Sequence, residues 1–154
     1  MKSIINILTL VIILSVFHSC AKDENEDDGW QYCFDCRASN WTGNYSGTGS
    51  YYDAVSNSTF GGKNVNITID ETGDDYFTVY LSIPTLYNGS ISGTFYNGYS
   101  FSCAGTKKTF SANLYRRGNE MKLSGNYKTY TSTSRDDDPE LKEVINFEVY
   151  KNTK

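Results

Sequence analysis

The 154-residue chain carries 14 basic and 18 acidic residues, a formal net charge of −4, with no basic field beyond the pairs Lys107-Lys108 and Arg116-Arg117. Phosphate-backbone binding depends on clustered Lys and Arg, so a nucleic-acid partner is excluded from the expectations. Thirteen tyrosines, eight phenylalanines and thirteen glycines against two prolines describe a β-rich chain facing water. Its one histidine, His18, falls in a segment expected to be removed, which leaves no imidazole for Ser-His or Cys-His catalysis or for metal ligation.

From the N-terminus, Lys2 precedes an apolar stretch, Ile4 to Phe17, broken only by Asn6, Thr9 and Ser15. At 14 residues it is too short to span about 30 Å of hydrocarbon as a helix and matches the core of a signal peptide. The stretch closes on Phe17-His18-Ser19-Cys20-Ala21, which resembles a bacterial lipoprotein signal, with a small residue before a cysteine that becomes the acylated terminus. Five acids follow, Asp23, Glu24, Glu26, Asp27 and Asp28, a run that cannot bury itself and reads as a solvated tether. With Lys22 it is similar to the segment by which Bacteroidetes send lipoproteins to the cell surface. The expected organisation is a signal peptide over 1–19, an acidic tether with C-x-x-C over 20–40, and a β domain over 41–152. Ordinary secretory cleavage after Ala21, with loss of Cys20, is the alternative.

Cys33 and Cys36 frame the C-x-x-C motif between the tether and the first strand. Redox chemistry wants such a motif at a helix N-terminus, and zinc wants four ligands where only Cys103 remains. A structural disulfide is expected, Cys33 to Cys36 or either one to Cys103, leaving one thiol free.

Period-2 alternation then predicts eight strands, roughly 41–52, 63–70, 75–83, 90–96, 99–104, 108–116, 120–130 and 143–151. Val65, Ile67 and Ile69 share one face; so do Phe77, Val79, Leu81 and Ile83, and Ile145, Phe147 and Val149. Asn97-Gly98 predicts a two-residue hairpin, Glu71 to Asp74 and Arg117 to Asn119 longer ones. Three segments, Trp41 to Tyr45, Ile91 to Phe95 and Leu123 to Tyr127, set a glycine between two bulky residues. Such a glycine marks sharp coiling, or an aromatic lying over bare backbone. The carboxylates at Asp70, Glu71, Asp74 and Asp75, and at Asp136 to Asp138, read as solvated turns, since EF-hand spacing is missing.

Short hairpins imply an antiparallel meander that closes as a barrel or folds as a barrel-like sandwich. With its opening Trp41-x-Gly43-x-Tyr45, the chain resembles the small lipocalin-like surface lipoproteins of Bacteroidetes over about residues 38–152. The resemblance implies a lipid-anchored protein of the outer membrane, with the barrel outside and no catalytic role. Candidate ligand-lining residues are Trp41, Tyr45, Phe77, Phe95, Phe101, Phe110 and Tyr127, part of an inward set that also takes in Tyr51 and Tyr99. Partners expected are the membrane through acylated Cys20, and either a small apolar or glycan-like molecule or a protein of the envelope. No cofactor and no metal are expected, and no carboxylate pair is placed by spacing where acid–base work would need it.

Overall fold

A computed structural model describes residues 29–131 and 140–153. The expected signal peptide, Cys20, the acidic run and Asp136 to Asp138 lie outside them. Among the described residues the chain is nearly all antiparallel strand: β1 (Gln31–Tyr32), α1 (Ala38–Trp41), β2 (Gly43–Asp53), β3 (Ser58–Gly73), β4 (Tyr76–Ile83), β5 (Tyr87–Thr94), β6 (Ser100–Ala104), β7 (Lys108–Arg117), β8 (Glu120–Tyr130) and β9 (Leu141–Lys151). All nine strands belong to one curled sheet, in the order β1-β7-β8-β9-β2-β3-β4-β5 with β6 also on β7. The eight expected strands are all present, in a barrel-like sheet.

Alternation builds the core as expected. Val65, Ile67 and Ile69 of β3, Phe77 to Ile83 of β4 and Ile145 to Val149 of β9 turn their apolar members inward. Curling of the sheet depends on glycines facing that interior. Gly49 of β2 and Gly125 of β8 both stand opposite Phe147 of β9, whose ring stacks at 5.7 Å on Phe110 of β7 on the Gly125 side. A Cβ on Gly125 would collide with the Ser111 carbonyl oxygen and sit 2.7 Å from the Ala112 Cα. Phe77 lies opposite Gly93 in the same manner.

Two expectations fail, one at the N-terminal side and one between β5 and β6. Trp41 is not in the first strand but ends α1, and β2 begins at Gly43, whose φ of 129° favours glycine. The last carbonyls of α1 find partners instead of a ladder: the Tyr45 hydroxyl donates to Trp41 O at 2.7 Å, and Lys151 Nζ to Asn40 O at 2.7 Å. Residues 31–40, expected to be the end of the tether, are part of the fold, with Cys33 and Cys36 buried in the core.

The second failure is the Asn97-Gly98 hairpin. β5 and β6 follow each other in sequence, yet no ladder joins them, and the sheet has a seam there. The turn's polar groups are taken by the N-terminal segment: Gly98 N–H donates to Cys36 O at 2.9 Å, and Trp41 Nε1 donates to Gly98 O at 2.9 Å. β1 occupies the edge of β7 beyond the end of β6, pairing Gln31 with Arg116 and Tyr32 with Tyr115. Cys33 N–H then reaches Leu114 O at 3.0 Å. One end of the seam is thus closed by residues 31–41.

Candidate functional site

The closed end of the barrel is filled by rings. Trp41 packs on Phe95 (centroids 5.4 Å apart), Phe95 stacks on Phe77 at 4.6 Å, and Phe101 meets Phe77 at 5.5 Å and Phe110 at 5.8 Å. Offset and edge contacts at these separations are the favoured aromatic geometries, and they consume the ring faces that a ligand would need. Of the seven candidate lining residues, this packing brings together Trp41, Phe77, Phe95, Phe101 and Phe110. Tyr45 and Tyr127 are equally buried, Tyr45 under α1 and Tyr127 directly across the β7–β8 ladder from Phe110, toward the other end of β8. Tyr99, expected inward, lies instead against Tyr32 and Phe34 on the outside, 4.8 Å from each. Phe34 is 71% exposed.

Toward the far end the interior changes character. Tyr51 of β2 donates to Glu143 Oε1 at 2.9 Å, Thr129 of β8 donates to Glu143 Oε2 at 2.6 Å, and Tyr87 of β5 donates to the Tyr127 hydroxyl at 2.9 Å. Strand alternation places these five side chains on one interior surface from four strands. Burial raises the Tyr51 phenol to about 12, with the Glu143 hydrogen bond adding to it. Tyr87 and Tyr127 are also raised, chiefly by burial. The phenols therefore stay protonated and can donate across the whole physiological range. Sequence reasoning placed Tyr51 inward but missed Tyr87, Thr129 and Glu143; the signal available was a carboxylate at an inward-phase position of an otherwise apolar strand, two residues before Ile145.

The seam itself carries a pocket. Near the closed end β5 and β6 are in contact, since a Cβ on Gly93 would collide with the Cys103 Cβ. Toward the far end they diverge, leaving a pocket of about 360 Å³ lined by Ser90 to Ser92 and Gly105 to Lys108. Lys108 reaches across it, its Nζ donating to Ser90 O at 3.2 Å. A second pocket of about 450 Å³ lies on the outer face of β2 and β3, lined by Ser46, Thr48, Asn64 and Asn66 with Gly47 and Pro84.

The cysteines divide as one of the expected pairings had it. Cys33 and Cys36 form a disulfide, and Cys103 is a free thiol in the core, raised by burial to about 11 and so a poor nucleophile.

No protein-family profile matches the chain, and no curated protein matches it. Among solved structures it is similar to a crystal structure of a mutant of the fluorescent protein UnaG, with a TM-score of 0.37 and 10% identity over 77% of this chain and 99% of that one.

Proposed function

We propose that the protein is a non-enzymatic, lipid-anchored envelope protein whose barrel binds a small apolar or glycan-like molecule from its far half. The observation that carries the binding is the unladdered stretch of the β5–β6 seam, where a pocket of about 360 Å³ lies between the two strands. Pockets of this size are where small molecules bind, and this one sets Ile91 among serine, threonine, glycine and lysine residues. On the interior surface, Tyr87 of the same strand as Ser90 to Ser92 donates to Tyr127, and Tyr51 donates to Glu143, which adds hydrogen-bonding groups to that half of the barrel. The packed rings of the closed half act as the floor of the site. Anchoring is supported by the cysteine-acid signal at residues 17–28 and by the position of Gly29 and Trp30, from which the described chain enters at the closed end, so that a membrane tether would leave the far end pointing away.

The test is native and intact mass spectrometry of the protein purified from its own cells. A co-purifying small molecule and a terminus at Cys20 carrying acyl mass are the expected result. A ligand-free species defeats the binding reading, and an unmodified terminus at Lys22 defeats the anchor.

A second reading, a protein-interaction module of an envelope complex, is favoured by one feature of the closed end. Tyr32, Phe34 and Tyr99 form an exposed ring cluster with centroids 4.8 to 6.0 Å apart, and Tyr96 nearby in sequence is 80% exposed. Exposed aromatics of this kind are enriched in protein interfaces. Crosslinking in intact cells from a photoreactive residue at position 34 distinguishes it: a discrete protein adduct supports docking, and its absence removes that reading.

A further inference from the structure

We infer that the seam pocket is an anion site, and that the ligand of the barrel carries an acidic head group, a carboxylate, phosphate or sulfate, on an apolar body. The inference rests on the binding reading above and adds to it the chemistry of the ligand.

The lining holds two ammonium groups, Lys107 and Lys108, and no acid. In a chain of net charge −4 such a spot is a local reversal of sign. Neither lysine makes an ion pair among the described residues, and the one contact Lys108 makes is to a neutral acceptor, Ser90 O. Three other cations of the described residues do stand against acids, Arg116 with Asp35 at 2.9 Å, Arg117 with Glu120 at 2.8 Å and Lys122 with Glu148 at 3.5 Å, and none of these acids lines the pocket. Main-chain carbonyls exposed by a missing ladder would ordinarily repel an anion from a sheet edge. Here the Lys108 ammonium covers that edge at Ser90 and places positive charge over the pocket, while the Ser90 and Thr106 side chains provide hydroxyl donors on either wall.

One residue of the pocket lining, Ile91, also belongs to the core. Ser90 and Ser92 point out along β5, but Ile91 between them is buried and faces the core. Tyr87, four residues earlier on the same strand, reaches Tyr127 inside. A ligand held by its acidic end at Lys107 and Lys108 therefore has Ile91 at the threshold for its apolar body. A neutral sugar or a cation has no counterpart to these two ammonium groups.

The experiment compares octyl phosphate, octyl glucoside and inorganic phosphate, each below any micelle concentration, titrated into the mature protein and followed by amide chemical shifts. Octyl phosphate is expected to bind about tenfold or more tightly than octyl glucoside, a margin suited to a charge-assisted contact, and to shift Ser90 to Ser92 and Gly105 to Lys108. The margin should shrink as salt is raised. Lys107→Gln with Lys108→Gln should abolish it, and Lys142→Gln, away from the pocket, should not. Equal binding of the two amphiphiles overturns the anion site and leaves the binding barrel standing. Binding of neither overturns both. If inorganic phosphate shifts the same amides with the same affinity as octyl phosphate, the pocket is a surface anion site and the link to an apolar body is wrong.

Discussion

At the closed end of this barrel the large side chains face one another, Trp41, Phe95, Phe77 and Phe101 in a stack that runs on to Phe110; beyond Phe110, Tyr51, Tyr87 and Tyr127 face hydroxyl and carboxylate partners. Residue type alone does not separate the two, since both halves are aromatic. What differs is what the ring edge meets. A phenylalanine core gains from burial and quadrupole contacts and has no reason to leave room, whereas each buried phenol must find an acceptor or donor and so ties packing to a polar network that a ligand can join. The closed half is therefore the rigid foundation, and the far half is where recognition can be placed.

The largest expected effect tests the foundation. Trp41 is fully buried, and Trp41→Ala removes its contacts with Phe95 and Phe101 together with the Nε1 hydrogen bond to Gly98 O. Urea unfolding should show a loss of about 3–5 kcal/mol; a loss under about 1 kcal/mol would mean that the ring stack is not the foundation. Next is Gly125→Ala, near the junction of the halves. The added methyl meets the backbone of Ser111 and Ala112, which cannot rotate away, so a cost toward the upper end of the about 1–3 kcal/mol seen for overpacking is expected, and the same readout checks it. Replacing Cys33 and Cys36 together by serine should cost about 2 kcal/mol by loop-closure entropy, since the loop is short. That substitution should also weaken amide protection at Gly98 more than at Tyr127, because Gly98 donates to Cys36 O.

These effects follow the same division as legibility. Alternation along β3, β4, β8 and β9 was readable because each has one face buried and one wet, and a register slip would invert every residue. Glycine opposite a bulky neighbour was readable too, and Gly125 against Phe147 bears it out. The Asn97-Gly98 pair could not be read correctly from local turn chemistry, because its partners, Cys36 and Trp41, are about 60 residues away in sequence and outbid the hairpin ladder. For the same reason Trp41 looked like a strand residue: its pattern with Gly43 and Tyr45 is genuine, but β2 starts only at Gly43, and the Tyr45 and Lys151 side chains, paired in the β2–β9 ladder, cap α1 in front of it. The candidate site was half legible. Inward phase identified Tyr51 and Tyr127, but Glu143 carries no apolar signature, and the seam is a missing interaction that no single strand encodes.

The far half is best probed by its ionisation, where the expected effect at neutral pH is the smallest. Tyr51→Phe deletes one hydrogen bond to Glu143 and should cost about 1 kcal/mol at pH 7. Above that pH the two halves should part company. The Tyr51 phenol is raised from 10.0 to about 12 and the Cys103 thiol from 9.0 to about 11, both chiefly by burial. Each group holds its proton more tightly folded than unfolded, so its contribution is complete below the unfolded value and is lost as pH climbs to the folded one: from about 9 to 11 for Cys103 and from about 10 to 12 for Tyr51. Urea midpoints measured across that range should fall with pH, and Tyr51→Phe should flatten the upper part of the decline by one titrating group. Trp41→Ala, which touches no ionisable neighbour of that cluster, should lower the whole curve and leave its slope alone. If Tyr51→Phe leaves the alkaline slope unchanged, the phenol is not held in a buried network with Glu143, and the contrast between a packed half and a hydrogen-bonding half loses its far side.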